Sequence, residues 1–323
     1  MNNKYDVVSL GELLIDFTQY GKSDQGNPVF EANPGGAPAN VLSMLTKLGK
    51  KTMFIGKVGN DGFGKQLEDA LKEQGISTDG LYKDDEVHTT LAFVHKLENG
   101  DRDFSFYRKP GADVMLRQDE ILEDYFDTKI FHLGSLSLTD QPVKDATLKA
   151  LDLAKKHGCL ISFDPNLREP LWSSLDQAKK EISYVMGKCD IMKISDNEVT
   201  WFTNEEDYDA GITKIRKEYP NISLIALSMG KDGSRVYYKD LKVEVPAFLS
   251  DQTVETTGAG DTFCACLLNF VLDNGLDDLK EEELRKMLEF GNAAASLITR
   301  VKGALRVMPS AEKVNAFLKE NRG

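Results

Sequence analysis

Glu255-Thr256-Thr257-Gly258-Ala259-Gly260-Asp261 is a loop of small residues that runs without a break into Thr262-Phe263-Cys264-Ala265-Cys266-Leu267-Leu268, an apolar helical stretch. A helix that begins this way offers unpaired backbone N–H groups and the positive end of its dipole, both suited to phosphate oxygens. Gly258 and Gly260 allow a tight turn and close approach of a ligand to the backbone. Asp261 stands at the mouth of that helix start, where a carboxylate can take the proton of an attacking hydroxyl. Aspartate is also a common helix cap, and spacing by itself does not choose between the two roles.

Upstream of this stretch, short β-rich runs alternate with amphipathic ones. Val7–Leu10, Thr52–Val58, Ile130–Leu133, Leu160–Phe163, Ile191–Ile194 and Leu224–Leu227 read as strands. Pro38–Leu48, Gly64–Glu73, Val143–Lys156 and Gln177–Met186 read as helices, and Gly49, Gly75 and Gly158 follow three of them where a left-handed cap is wanted. Such alternation predicts an α/β fold with a mainly parallel central sheet flanked by helices on both faces. Two segments, near 17–33 and 89–112, break the rhythm with strand-like runs and no helix. In the second, Asn99-Gly100 separates Leu91–His95 from Phe104–Tyr107 and predicts a hairpin. We read these segments as a small β lid on one domain spanning residues 1–323.

A second glycine motif, Gly35-Gly36-Ala37-Pro38-Ala39-Asn40, opens the first helix, and Pro38 suits its first turn. Gly59-Asn60-Asp61-Gly62-Phe63-Gly64-Lys65 has P-loop spacing, but Gln66 stands where a magnesium-holding hydroxyl is required. No Gly-x-Gly-x-x-Gly follows the first strand, which disfavours a dinucleotide oxidoreductase. The formal net charge of −12 argues against nucleic-acid or anionic-membrane partners. Cys159, Cys189, Cys264 and Cys266 form no disulfide-rich or zinc spacing and read as buried, reduced thiols. With no signal peptide in Met1–Asp6 and no apolar run near the roughly 18 residues of a membrane span, the expected compartment is the cytoplasm.

Residues 255–261 resemble the C-terminal signature of the ribokinase-like, PfkB-type carbohydrate kinases. Residues 35–40, with Gly56, Gly59 and Gly62 beyond them, resemble its N-terminal signature. The resemblance covers nearly the whole chain and implies a ribokinase-like fold and ATP-dependent sugar phosphorylation. It implies Asp261 as general base and Gly258, Ala259 and Gly260 as the anion hole. Asp16, Gly35, Gly36 and Asn40 would hold the sugar. Arg168, in Asp164-Pro165-Asn166-Leu167-Arg168, and Arg108 would bind sugar or phosphate, as the planar guanidinium suits. Ser228, Gly230 and Gly233 resemble a nucleotide-binding turn, Asn292 the position beside adenine, and Glu198 the acid of an Asn-x-x-Glu element that influences magnesium. Ser195 replaces the Asn of that element. Magnesium is expected with ATP as co-substrate. Glu255 stands where the family's Asp often helps bind a monovalent cation, which leaves potassium open.

The expected reaction transfers the γ-phosphoryl group of ATP to a primary hydroxyl of a ketohexose, with fructose as substrate, since 35–40 and 164–172 read most like fructokinases. A 2-keto-3-deoxygluconate kinase is the nearest alternative, because Arg108 and Arg168 suit a sugar-acid carboxylate; a nucleoside-type kinase shares the same chemistry. A non-catalytic sugar or nucleotide sensor is the alternative from another class, countered by the intact Asp261 and Gly258-Ala259-Gly260. A homodimer through the β lid is the expected assembly.

Overall fold

Every β-rich run named above forms a strand in the computed structural model, which describes residues 3–96 and 102–321. The strands are β1 Tyr5–Leu10, β2 Leu14–Lys22, β3 Pro28–Gly35, β4 Thr52–Gly59, β5 Ser77–Asp84, β6 Leu91–Lys96, β7 Arg102–Tyr107, β8 Thr128–Gly134, β9 Leu160–Asp164, β10 Ile191–Ser195, β11 Leu224–Ser228, β12 Ser234–Tyr238 and β13 Leu241–Val245. The helices are α1 Ala37–Lys47, α2 Gly62–Glu73, α3 Val143–Lys156, α4 Leu175–Met186, α5 Asp196–Thr203, α6 Tyr208–Glu218, α7 Ala259–Asn274, α8 Glu281–Ile298 and α9 Ala311–Asn321. Gly49, Gly75 and Gly158 take positive φ just past α1, α2 and α3.

Nine strands make the main sheet, in the order β13-β12-β11-β10-β9-β8-β1-β4-β5. The run from β5 to β11 is parallel throughout, and β12 and β13 add an antiparallel edge. Alternation along each strand divides the apolar side chains between two cores. Val7 and Ile130 pack toward α1, α7 and α8, whereas Val8 and Phe131 pack toward α3 and α4. A parallel sheet covered on both faces needs this two-sided burial.

Successive connections leave β1 first toward β4 and β5, then toward β8 and beyond. This reversal opens a crevice at the carboxyl ends of the strands, where α/β proteins place ligands. The two rhythm-breaking segments form a separate four-stranded sheet, β3-β2-β6-β7, that covers the crevice. Its register puts Asp16 beside Ala92 and Ala92 beside Phe106, so these three share one face. The predicted Asn99-Gly100 turn lies outside the described residues, but β6 and β7 pair antiparallel as that turn requires.

Candidate active site

A cavity of about 300 Å³ lies between the small sheet and the carboxyl ends of the main strands. Glu12, Asp16, Asn40, Asn166, Arg168, Lys193 and Asp261 supply its charged and amide groups, and Leu14, Phe106 and Leu136 its apolar wall. A second cavity of about 320 Å³ adjoins it, shares Asn166, Arg168 and Lys193, and continues past Ser195 and Glu198.

The first turn of α7 carries the loop motif that opened the sequence reading. Gly258 sits at φ 79, and a methyl there would stand 2.8 Å from Ala304 Cβ, so both conformation and space call for glycine. Asp261 follows on the first turn, partly buried, and its Oδ2 accepts a hydrogen bond from Asn40 Nδ2 at 2.8 Å. Asn40 comes from α1, 221 residues earlier. Burial pushes the Asp261 carboxyl up, while Asn40, Lys193 and Arg168 pull against that shift. A base held above the ordinary carboxylate range is better matched to an alcohol proton.

Gly36, the residue before α1, has φ 122, and a Cβ on it would stand 2.3 Å from the Glu12 carbonyl oxygen. This close approach lets Glu12 Oε1 accept from Ala37 N at 2.8 Å, tying the helix start to the end of β1. Asp16 is pushed up to about 7, chiefly by burial and then by Glu255 and Asp261, against the pull of Arg168. Gly35 does not line the cavity; it supports Asp16, since a methyl on Gly35 would stand 2.4 Å from Asp16 Oδ2.

Lys193 is buried in β10 and pairs with Asp164 of β9 at 3.1 Å. Burial alone would push Lys193 down, but Asp164 and Glu198 outweigh it and hold the ammonium above its usual range. A methyl on Gly260 would lie 3.3 Å from its Nζ, which places a cation directly beside the start of α7.

The fold thus gathers Asp16, Gly36, Asn40, Arg168, Gly258, Gly260 and Asp261 around one space. Other expected residues stand elsewhere. Ala259 is not in the lining, and its amide is donated to the Thr256 carbonyl at 3.3 Å. Arg108 is enclosed in the wall: its Nε pairs with Asp113 Oδ2 at 2.7 Å, Nη1 donates to Thr139 Oγ1 at 2.8 Å and Nη2 to the Leu136 carbonyl at 3.0 Å. Asn292 is buried in α8. It accepts from Ser234 Oγ at 2.8 Å and donates to the Val245 and Pro246 carbonyls, each at 3.1 Å, so its amide joins helix to sheet.

Glu198 borders the second cavity, but its carboxylate caps α5: Oε2 accepts from Ser195 N at 2.8 Å and Ser195 Oγ at 2.7 Å. Its Oε1 accepts from Leu167 N at 2.7 Å and so holds the loop that carries Arg168. Ser195 thus makes a capping box where the family pattern has Asn. Ser228 ends β11 directly beside Ser195 of β10, and Gly230 and Gly233 bound the short turn into β12. None of these three lines either cavity.

Sequence reading passed over Glu12 and Lys193. Both carried a signal: Glu12 follows the carboxyl end of a parallel strand, and Lys193 interrupts the apolar run Ile191–Ile194, where a charge must have a partner.

A carboxylate at a helix start, cations beside it and a polyol-sized polar cavity at a sheet switch point suit phosphoryl transfer to a small hydroxyl compound. Residues 4–311 match the pfkB family of carbohydrate kinases, and the chain belongs to that family. It is 42% identical over 321 residues to the probable fructokinase-2 of Arabidopsis thaliana, covering 98% of this chain and 97% of that one. With fructokinase-2 of Solanum habrochaites it shares 40% identity over 97% of this chain and 96% of the relative. Among solved structures, the fructokinase of Xylella fastidiosa with bound ATP superposes with a TM-score of 0.89 at 29% identity, covering 98% and 99% of the two chains. A fructokinase double mutant of Vibrio cholerae O395, solved with fructose, ADP and potassium, gives 0.87 at 27% identity, covering 98% and 100%.

Proposed function

We propose that this carbohydrate kinase is a fructokinase, transferring the γ-phosphoryl group of MgATP to a primary hydroxyl of fructose. The observation that carries the reading is the convergence of Asp261, its partner Asn40 and Asp16 on one polar cavity beside the start of α7. Asp261 takes the hydroxyl proton as the sugar oxygen forms its bond to phosphorus and the bond from phosphorus to the β–γ bridging oxygen breaks, releasing ADP. The unpaired N–H groups of the first turn of α7, with Lys193 and Arg168, face the charge on the transferred group. Asp16 and Asn40 orient the sugar. Magnesium enters with the nucleotide as part of the substrate, and the second cavity, bordered by Ser195 and Glu198, is the route for its phosphates.

Fructose is favoured over a sugar acid because Arg108, the cation expected from the lid, is paired with Asp113 inside the wall. Four relatives at 40–42% identity, covering 97–98% of this chain, carry the name fructokinase. Glu255 Oε1 accepts from Thr257 Oγ1 at 2.5 Å and Oε2 from Gly303 N at 3.1 Å, so its carboxylate clamps the loop before the anion hole. Among the described residues no cluster of three or more acidic, histidine or cysteine side chains is built to hold a metal.

Exposed Tyr20, Val29 and Tyr107 on the small sheet are the proposed homodimer contact, which sedimentation of the purified chain would check. No helix among the described residues is long and apolar enough to cross a membrane. The four buried free thiols suit a reducing compartment, in keeping with a cytoplasmic enzyme.

The deciding assay is ADP release with MgATP across fructose, ribose, glucose, 2-keto-3-deoxygluconate and adenosine. Selective turnover of fructose is expected. Preference for another acceptor would overturn the substrate, and silence on all five with ATP still bound would revive the sensor reading.

A further inference from the structure

Arg108 forms a buried ion pair that the proposed reaction does not use. Its side chain is 2% exposed and that of its partner Asp113 1%. The second Asp113 oxygen accepts from the Thr90 hydroxyl, so both ends of the carboxylate are occupied. Space around the pair is closed: a methyl on Gly111 would stand 1.8 Å from Thr90 Oγ1 and 3.0 Å from Asp113 Oδ1. Asp140 approaches Arg108 at 3.7 Å, but its side chain is 55% exposed, so solvent screens it.

This pair stands one layer behind the cavity wall. Arg108 Nη2 is bonded to the carbonyl of Leu136, and Leu136 lines the cavity. Glu12, another lining residue, has Asp113 and Arg108 among the charges that set its ionisation, Asp113 opposing its negative form and Arg108 favouring it. Of the two cations in the lining, Lys193 is paired with Asp164, and Arg168 is shared with the second cavity. Glu12, Asp16 and Asp261 make the rest of the lining acidic. A neutral polyol suits that balance; an anionic sugar entering it would meet three carboxyl groups, with Arg168 as the lining cation open to it.

Resting on the fructose reading above, we propose that Asp113 is a specificity-determining residue: by locking Arg108 into the wall, it keeps the cavity selective for a neutral sugar over an anionic one. Asp113 acts through Arg108 and touches no substrate. Removing its charge leaves a guanidinium behind Glu12 and Leu136 without its buried counter-ion, and because Asp140 is screened by solvent the positive charge is then felt in the cavity.

The test compares kcat/KM for fructose and for 2-keto-3-deoxygluconate in the wild type, Asp113→Asn and Arg108→Gln/Asp113→Asn, at fixed ionic strength. The ratio should move toward the sugar acid by about tenfold or more in Asp113→Asn, the scale of one exposed charge near a buried site. It should return to within about threefold of the wild type in the double variant, where the uncovered charge is gone. Equal losses on both sugars in Asp113→Asn, or a shift that survives in the double variant, would overturn the inference. Should Asp113→Asn not fold, Arg108→Gln, which leaves the Asp113 charge unpaired behind Glu12, must move the ratio the other way, further toward fructose; an unmoved ratio there would overturn it too. A wild type that already prefers the sugar acid would instead sink the fructose reading.

Discussion

Replacing Asp261 by Asn separates chemistry from architecture at the site. Asn keeps the volume of the side chain, and its oxygen still accepts from Asn40 Nδ2, a contact of 2.8 Å in the parent. What it loses is the ability to take a proton. Loss of a positioned general base costs about 10²–10⁴ in turnover, or about 3–5 kcal/mol in the barrier. Stability should move the other way. Asp261 is held above its ordinary value by burial, so on raising the pH the unfolded chain releases this proton first, and stability falls between the two values. Asn cannot ionise and escapes that loss, so above this window the variant should resist urea at least as well as the parent. Steady-state ADP release at saturating fructose and MgATP gives kcat, and urea titration at pH 8 gives stability. The parent should also lose kcat at saturating fructose as the pH falls and Asp261 takes up its proton, a limb absent from the variant's residual kcat. A variant keeping more than about a tenth of parental turnover would refute the base assignment. Equal losses of rate and stability would refute the separation argued here.

Asn292→Ala should lower the unfolding free energy by about 2–4 kcal/mol, since Ser234 and two carbonyls lose their partner. The KM for ATP should change little, and a large rise in that KM with stability intact would restore Asn292 to the adenine site. Asp16 titrates at about 7, so the KM for sugar should fall as the pH rises through that value and the charged acceptor forms; in Asp16→Asn, KM should be high and flat with pH. Lys193→Met leaves Asp164 buried without its counter-ion, at about 3–5 kcal/mol by chemical denaturation, and turnover should fall with it. A stable, active Lys193→Met would remove this lysine from the phosphate site.

Local sequence by itself determined six of the main sheet's nine strands and the helix start at α7, while β5, β12 and β13 were not read from it. Alternating apolar runs of the right lengths specify buried parallel strands and their covering helices, because each run must hide its own face. The small-residue loop before α7 specified where a helix start would be open to phosphate, since that property belongs to backbone within one turn. Pairing across long separations was decided by tertiary structure. Nothing near Arg108 in sequence announces that Thr139 and the Leu136 carbonyl, about thirty residues on, will absorb its donors, although Asp113 stands only five residues away. Asn292, likewise, reads as a free polar residue on a helix until Ser234 and the end of β13 close around it. Whether a charged or amide side chain serves a ligand or the fold depends on which distant groups reach it first, and packing alone supplies those groups.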